Sequence, residues 1–278
     1  MSNIKIFSIH AKRTDFLRMQ IESLNHFCED DYEYYCIDNF LSNEQSEFIK
    51  KECEELNINY VRFSNYQITG TAFDHIPALN SIKNIASNED INVILEFDVF
   101  LINKFSFINY IEDYHISGLH QQRNNFNNEY LAPFLIIVNK NCDFSEIDFY
   151  GSPGFDTGGN TQFYIKDRKV KLLKHTVPLR EEGDEDCFTL PYDCSYGSQI
   201  IEESFIHYYR GSNWDGKPLD YEKSKTEWLI NLLNKSKTSQ VINGEFLKKK
   251  SSIICEQDLA DTIKNHGISD NILKYLNN

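Results

Sequence analysis

The first hundred residues alternate between two hydrophobic periods, and that alternation limits the fold more than any other feature of the chain. Ile4 to Ile9 is an apolar run with strand character, closed by His10. Thr14-Asp15 then opens a stretch, Phe16 to Leu24, whose apolar residues recur at helical spacing. Tyr32 to Ile37 reads as a second strand ended by Asp38-Asn39, Glu44 to Leu56 as an amphipathic helix, and Asn59 to Phe63 as a third strand. A loop from Asn65 to Thr71 precedes a helix expected near Ile76 to Ala86, and then comes the buried run Val93-Ile94-Leu95. Strands that alternate with helices build an open, mainly parallel sheet flanked by helices. The expected fold class is therefore α/β, with a Rossmann-like mixed sheet.

Beyond residue 100 the pattern changes. Ile116 to Leu119 and Phe134 to Val138 read as strands around a polar stretch, Gln121 to Asn128. Thr161 to Ile165 is amphipathic, Val170 to His175 reads as a strand, and Gly183 to Ser198 is acidic and irregular. From Tyr221 onward the chain reads as helical, with Trp228 to Leu233 and Ile263 to Leu276 as its apolar stretches. Lys248-Lys249-Lys250 suits a solvated face better than a binding patch.

With 278 residues, of which 41% are hydrophobic, the chain can bury a sizeable core. A formal charge of −14 argues against nucleic acid as the main partner. It leaves an anionic small-molecule substrate open, because a bound metal supplies local positive charge. The seven cysteines form no CxxC pair and suit free thiols in a reducing compartment, with Cys187 and Cys194 pairing or binding a metal as the alternative. Met1 leads directly into a strand pattern, without a basic segment and long apolar core, so no signal peptide is expected. No stretch approaches roughly 18 apolar residues, so neither is a membrane span, and a cytoplasmic location is expected.

Ligands of open α/β sheets bind at the carboxyl ends of the strands, where His10, Asp38, Glu96 and Asp98 all fall. On a strand, residues i and i+2 point to the same side, so Glu96 and Asp98 can share one ligand. A second segment, Phe205 to Trp214, ends its apolar run on His207 and turns through Gly211. Two hard oxygen donors and one imidazole suit a divalent cation that keeps positions open for phosphate oxygens, which points to a nucleoside diphosphate. Plainer readings stand beside these: surface charge for the carboxylates, a structural imidazole for His207, and a turn-forming Asp-Asn for Asp38 in place of a ribose or uracil contact. Arg13 suits either a phosphate or solvent. Asp156, in Phe155-Asp156-Thr157-Gly158-Gly159, is the first candidate for the carboxylate base that a group transfer to a hydroxyl would need if it inverts the reacting centre, and a plain Asx-turn is its alternative. Glu181, Glu182, Asp184, Glu185 and Asp186 form a second acidic group that reads as a loop, while Gln121, Gln122 and Trp214 suit a sugar site.

Several of these segments together resemble a known family. Leu95-Glu96-Phe97-Asp98-Val99 is similar to the DxD element of GT-A glycosyltransferases, with Glu in place of the first Asp. His207-Tyr208-Tyr209-Arg210-Gly211-Ser212 resembles the histidine-then-glycine element that supplies a third metal ligand in branches of that fold. His75, Ala78, Leu79 and Asn80 resemble the helix that precedes the DxD strand, which sets His75 and Asn80 on the donor side.

The resemblance spans roughly residues 4 to 215 and implies a GT-A-like fold. It also implies a nucleotide-sugar donor, most often a UDP-sugar, with Mn²⁺ or Mg²⁺. By the same resemblance Asp98 coordinates the metal, Glu96 meets the ribose or the metal through water, and His207 completes the protein ligands. Lys217 or Arg210 assists at the phosphates, and a glycan, protein or small molecule accepts the sugar. The implied organisation is a catalytic domain over 1–220, with a nucleotide-binding half (1–100) and an acceptor half (101–220), followed by a helical extension over 221–278. A sugar-nucleotide-forming nucleotidyltransferase would want a glycine-rich loop where Ile9 to Arg13 has none, and an aspartyl phosphohydrolase would want Asp at position 96. A non-catalytic binding or assembly protein on the same fold is the remaining alternative.

Overall fold

The structure is a computed structural model, described over residues 3–11, 13–39, 43–63, 72–121, 130–151, 157–176, 198–208 and 219–238. The first half runs β1 (Ile4–His10), α1 (Asp15–Phe27), β2 (Tyr32–Asp38), α2 (Asn43–Leu56), β3 (Asn59–Arg62), α3 (Ala72–Ser81) and β4 (Ile91–Leu95). The second half runs β5 (Val99–Leu101), α4 (Phe107–Ile111), β6 (Ile116–Gln121), β7 (Tyr130–Val138), α5 (Thr161–Ile165), β8 (Val170–Leu172) and β9 (His175–Thr176). It closes with β10 (Gln199–Ile201), β11 (Phe205–His207) and α6 (Leu219–Thr238).

Seven strands form the main sheet in the order β3-β2-β1-β4-β7-β6-β8, with β7 antiparallel to its neighbours and the other pairs parallel. This is the mixed, mainly parallel α/β sheet that the alternation predicts. Its central strands are buried on both faces, which is why β1 and β4 are close to continuously apolar. One core cluster lies under α1 and α2, with Leu17, Ile21, Leu24, Ile49 and Cys53 against Ile4, Ile6 and Val93. A second lies on the opposite face, with Ala78, Leu79, Phe144 and Phe149 against Phe7, Ile9 and Ile94.

A smaller sheet, β5-β11-β10-β9, sits beside the main one. Residues of α6 (Trp228, Leu229, Leu232 and Leu233) share a core with Phe16, Phe97, Phe100, Ile206 and Tyr208. That core ties α6 to the strands that carry the candidate site. Among the described residues no helix is long and apolar enough to cross a membrane, and Cys28, Cys36, Cys53 and Cys142 are free thiols.

Three local expectations shift. The helix expected from Ile76 begins earlier, at Ala72, runs through Pro77, and continues as a 3-10 turn over Ile82–Asn84. Proline favours a helix start, so the sequence alone draws the boundary too late. Thr14 occupies the N-cap of α1 but makes no side-chain capping bond. The expected strand Val170 to His175 divides into β8, which pairs with β6 in the main sheet, and β9, which pairs with β10 in the small one.

Candidate active site

The chain leaves the main sheet at Leu95 and re-enters a strand at Val99, and the four residues from Glu96 to Val99 form a turn closed by Val99 N–H on the Glu96 carbonyl at 3.0 Å. Glu96 and Asp98 therefore lie in this turn, one step beyond the strand on which the i, i+2 rule would have placed them. Phe97 points inward between them, buried against His10 and Phe16 with ring centroids 5.8 Å from each.

Three elements brace the turn. From β7, the Phe134 carbonyl accepts Glu96 N–H at 2.9 Å. Just past β11, Tyr208 N–H donates to the Asp98 carbonyl at 2.8 Å. From α1, the side-chain amide of the fully buried Gln20 donates to the carbonyls of Glu96 and Val99, each at 2.7 Å. The β5–β11 register sets His207 opposite Val99, and so brings the histidine next to Asp98.

The two carboxylates then take different partners. Glu96 Oε1 is 2.6 Å from His75 Nε2, a short hydrogen bond to an imidazole on α3. Asp98 Oδ1 is 3.5 Å from His207 Nε2. The Phe134 ring stacks on His207, with centroids 4.2 Å apart and planes 22° from parallel, which fixes the plane of the imidazole. Glu96, Asp98 and His207 are all nearly buried.

The other expected residues fall at the same sheet edge or close to it. His10 and Asp38 are register partners at the ends of β1 and β2. The His10 side chain is fully buried, its Nε2 is 3.0 Å from the Tyr34 hydroxyl, and its carbonyl accepts Asn39 N–H. Burial lowers the His10 imidazole from 6.5 to about 3, so it stays neutral. Asp38 accepts from the Tyr60 hydroxyl at 2.6 Å and from Arg62 at 2.7 Å.

Arg13 is buried against Asp15, donates to Thr226 Oγ1 at 3.2 Å, and lies over the Phe16 ring at 3.9 Å. Asn80 accepts Phe149 N–H at 3.3 Å, which joins α3 to the segment after β7. Asp156, Gln122, Arg210, Trp214, Lys217 and the Glu181, Glu182, Asp184, Glu185 and Asp186 group lie outside the described residues, as does the side chain of Gln121. The motif glycine after Asp156 has a packing reason of its own. Gly158 has φ +91°, and a Cβ there would stand 2.7 Å from the Leu131 carbonyl.

Two features of the site escape a reading of the sequence. Phe134 looks like any aromatic residue of a buried strand. Gln20 does leave a trace, a polar residue in the apolar stripe of Phe16, Leu17, Ile21 and Leu24, which marks a buried group that needs partners.

The arrangement fits a divalent cation at Asp98 and His207. In an octahedral Mg²⁺-like shell with bonds of about 2.1 Å, neighbouring ligand atoms stand about 3 Å apart, close to the 3.5 Å between Asp98 Oδ1 and His207 Nε2. Among the described residues no three His, Cys, Asp or Glu side chains form a ready metal-binding group. Glu96 is turned to His75, so the Asp98–His207 pair and the ligand's own oxygens would have to complete the shell.

No family model and no curated protein matches the sequence. Among solved structures, the chain is similar to a mannosyltransferase from Pyrobaculum calidifontis, PcManGT, solved with GDP-Man and Mn²⁺. That likeness has 9% identity and a TM-score of 0.45, over 99% of this chain and 83% of the other. It is also similar to the galactosyltransferase LgtC, solved with donor and acceptor sugar analogues, at 9% identity and a TM-score of 0.41 over 60% of this chain and 72% of the other. A third likeness is to the apo-form glycosyltransferase GlyE of Streptococcus pneumoniae TIGR4, at 10% identity and a TM-score of 0.39 over 62% and 45% of the two chains. All three are distant.

Proposed function

We propose that the protein is a metal-dependent glycosyltransferase, which moves a sugar from a nucleoside-diphosphate sugar, with UDP-sugars the first class to test, to a hydroxyl acceptor. The observation that carries this reading is the meeting of Asp98 and His207 at the carboxyl end of the sheet, beside a second pair formed by Glu96 and His75. Asp98 and His207 are the residues that would hold Mn²⁺ or Mg²⁺. When bound, the ion offsets charge that develops on the departing diphosphate.

The chain's own residues do the rest. Glu96 orients the His75 imidazole at the donor side. Asp38 enters through Tyr60 and Arg62, whose polar ends its carboxylate holds at the sheet edge. On sequence grounds Lys217 and Arg210 serve the phosphates, and Asp156 takes the proton from the acceptor hydroxyl.

The test is thermal stability against a panel of nucleoside diphosphates and nucleotide sugars, with and without Mn²⁺. A ligand at a hundredfold excess over its dissociation constant stabilises by about 2.7 kcal/mol, and a rise of about 5–10 °C is expected for a chain of this size. Metal-dependent donor turnover, lost in a folded Asp98→Ala variant, completes the expected result. If no nucleotide shifts the midpoint with either metal, the donor-site reading fails.

A further inference from the structure

Gln20 lies on the buried face of α1, fully removed from solvent, and its side-chain amide meets three groups from distant parts of the chain. Both amide hydrogens are engaged, one on the Glu96 carbonyl and one on the Val99 carbonyl. These are the first and last residues of the turn that carries Asp98. The amide oxygen faces the Tyr34 hydroxyl of β2, and that hydroxyl is 3.0 Å from His10 Nε2 of β1.

The direction of each proton in this chain of contacts follows from donor and acceptor counting. A flipped Gln20 would set its oxygen against two carbonyl oxygens, so the nitrogen must face the turn. The amide oxygen then needs a donor, and the Tyr34 hydroxyl supplies its single proton. Burial pushes the Tyr34 phenol up, which keeps that proton in place. The Tyr34 oxygen accepts in turn from His10, which is therefore the Nε2–H tautomer. The chain of donors runs from His10 to Tyr34, to Gln20, and to the backbone of the turn.

We propose that Gln20 is the positioning residue of the carboxylate turn: it fixes the Glu96–Val99 backbone, and with it the Asp98 carboxylate, from the buried side. The proposal rests on the reading of this turn as the metal and donor site. The geometry supports it in two ways. The Gln20 amide supplies a donor to both carbonyls, and without it the Glu96 carbonyl keeps only the Val99 N–H of its own turn while the Val99 carbonyl loses a buried donor, a costly loss. The turn is also held on its other sides through backbone groups, by Phe134 and Tyr208. Removal of the Gln20 donors frees the turn to rotate about those contacts, and Asp98 moves with it. Ser23, one helical turn further on, bonds the Leu101 carbonyl at 2.6 Å in the same manner, so the end of β5 stays anchored when Gln20 is changed.

The test compares the wild type with Gln20→Met, which keeps the side-chain length and removes the amide. Two readouts are taken: the Kd for UDP with Mn²⁺ on the folded fraction, and hydrogen exchange at the amides of Val99 and Tyr208. Partners one step behind a metal ligand change affinity by about 10–100-fold when removed, and a weakening of that size is expected. Exchange at Val99 and Tyr208 is expected to quicken, while amides within β1 and β2 keep their rates. A merely structural Gln20 would lower the midpoint of unfolding and leave both readouts of the folded protein unchanged. Either an unchanged Kd or unchanged exchange overturns the proposal.

If the wild type binds no nucleotide or metal, the functional reading fails by itself, and the exchange readout alone decides the role of Gln20. Should Gln20→Met not fold, Tyr34→Phe replaces it. That change removes one hydroxyl and leaves Gln20 in place, and a smaller quickening at Val99 is expected, with none overturning the proposal.

Discussion

Replacing Asp15 by Asn tests how the start of α1 is locked to α6. Arg13 and Asp15 meet through two parallel hydrogen bonds, one of them Nε to Oδ1 at 2.7 Å, and their side chains are 2% and 1% exposed. That exposure decides the magnitude. An ion pair in solvent contributes about 0–1 kcal/mol, whereas removing one partner of a buried pair costs about 3–5 kcal/mol, because a desolvated charge loses its counter-charge. Thr226 Oγ1 at 3.2 Å and the Phe16 ring at 3.9 Å from Arg13 offset part of the loss, so the expected value lies near the lower end, about 3 kcal/mol.

At about 2–4 °C per kcal/mol, the midpoint of thermal unfolding falls by about 6–12 °C. Urea unfolding at pH 7 is the assay, and the midpoint is expected to move without a change in slope. The double variant Arg13→Met/Asp15→Leu is expected to recover most of the loss, since apolar residues of similar volume replace buried pairs at little cost. A loss below about 1 kcal/mol in Asp15→Asn would refute the reasoning, because it would put the pair in the exposed class.

Three further outcomes are expected. Asp98→Asn is expected to weaken Mn²⁺-dependent nucleotide binding at least about 100-fold, about 2.7 kcal/mol, and Glu96→Gln only about tenfold, because the amide oxygen that replaces the carboxylate still accepts from His75; titration calorimetry checks the order. The unfolded chain takes up a proton at His10 below about pH 6.5 and the folded chain only near 3, so stability falls with acid across that window by about 1.4 kcal/mol per pH unit; urea midpoints at pH 5 and 6 are expected to show this slope, and His10→Gln to lack it. Glu203 has φ 55° in the three-residue turn between β10 and β11, so Glu203→Gly is expected to stabilise by about 0.5–1 kcal/mol, the left-handed penalty less the entropy of glycine, as read from urea unfolding.

The elements of the first half were legible because each depends on a local pattern. A period of two or of 3.6 within a short window marks a strand or a helix whatever it later packs against, and β1, α1, β2, α2 and β3 fall within a residue or a few of their expected bounds. At the level of the backbone, His10, Asp38 and the Glu96–Asp98 turn lie together at the carboxyl end of the sheet. What each side chain does there was not legible. Arg13 follows a strand as a phosphate-binding cation would, yet it is packed under α6. Gly158 follows an aspartate as a substrate turn would, yet its missing Cβ makes room for Leu131.

The sequence by itself determined the α/β alternation, the candidate carboxylates and the imidazole that ends the last strand, because these are properties of residue type and spacing. Only the tertiary structure decided the partners: Asp98 with His207 through the β5–β11 register, Glu96 with His75 through the docking of α3, and the turn with Gln20 through the packing of α1. Such pairings join residues far apart in the chain. They are selected by the summed burial and hydrogen bonding of whole elements, and no local window of the sequence contains that sum.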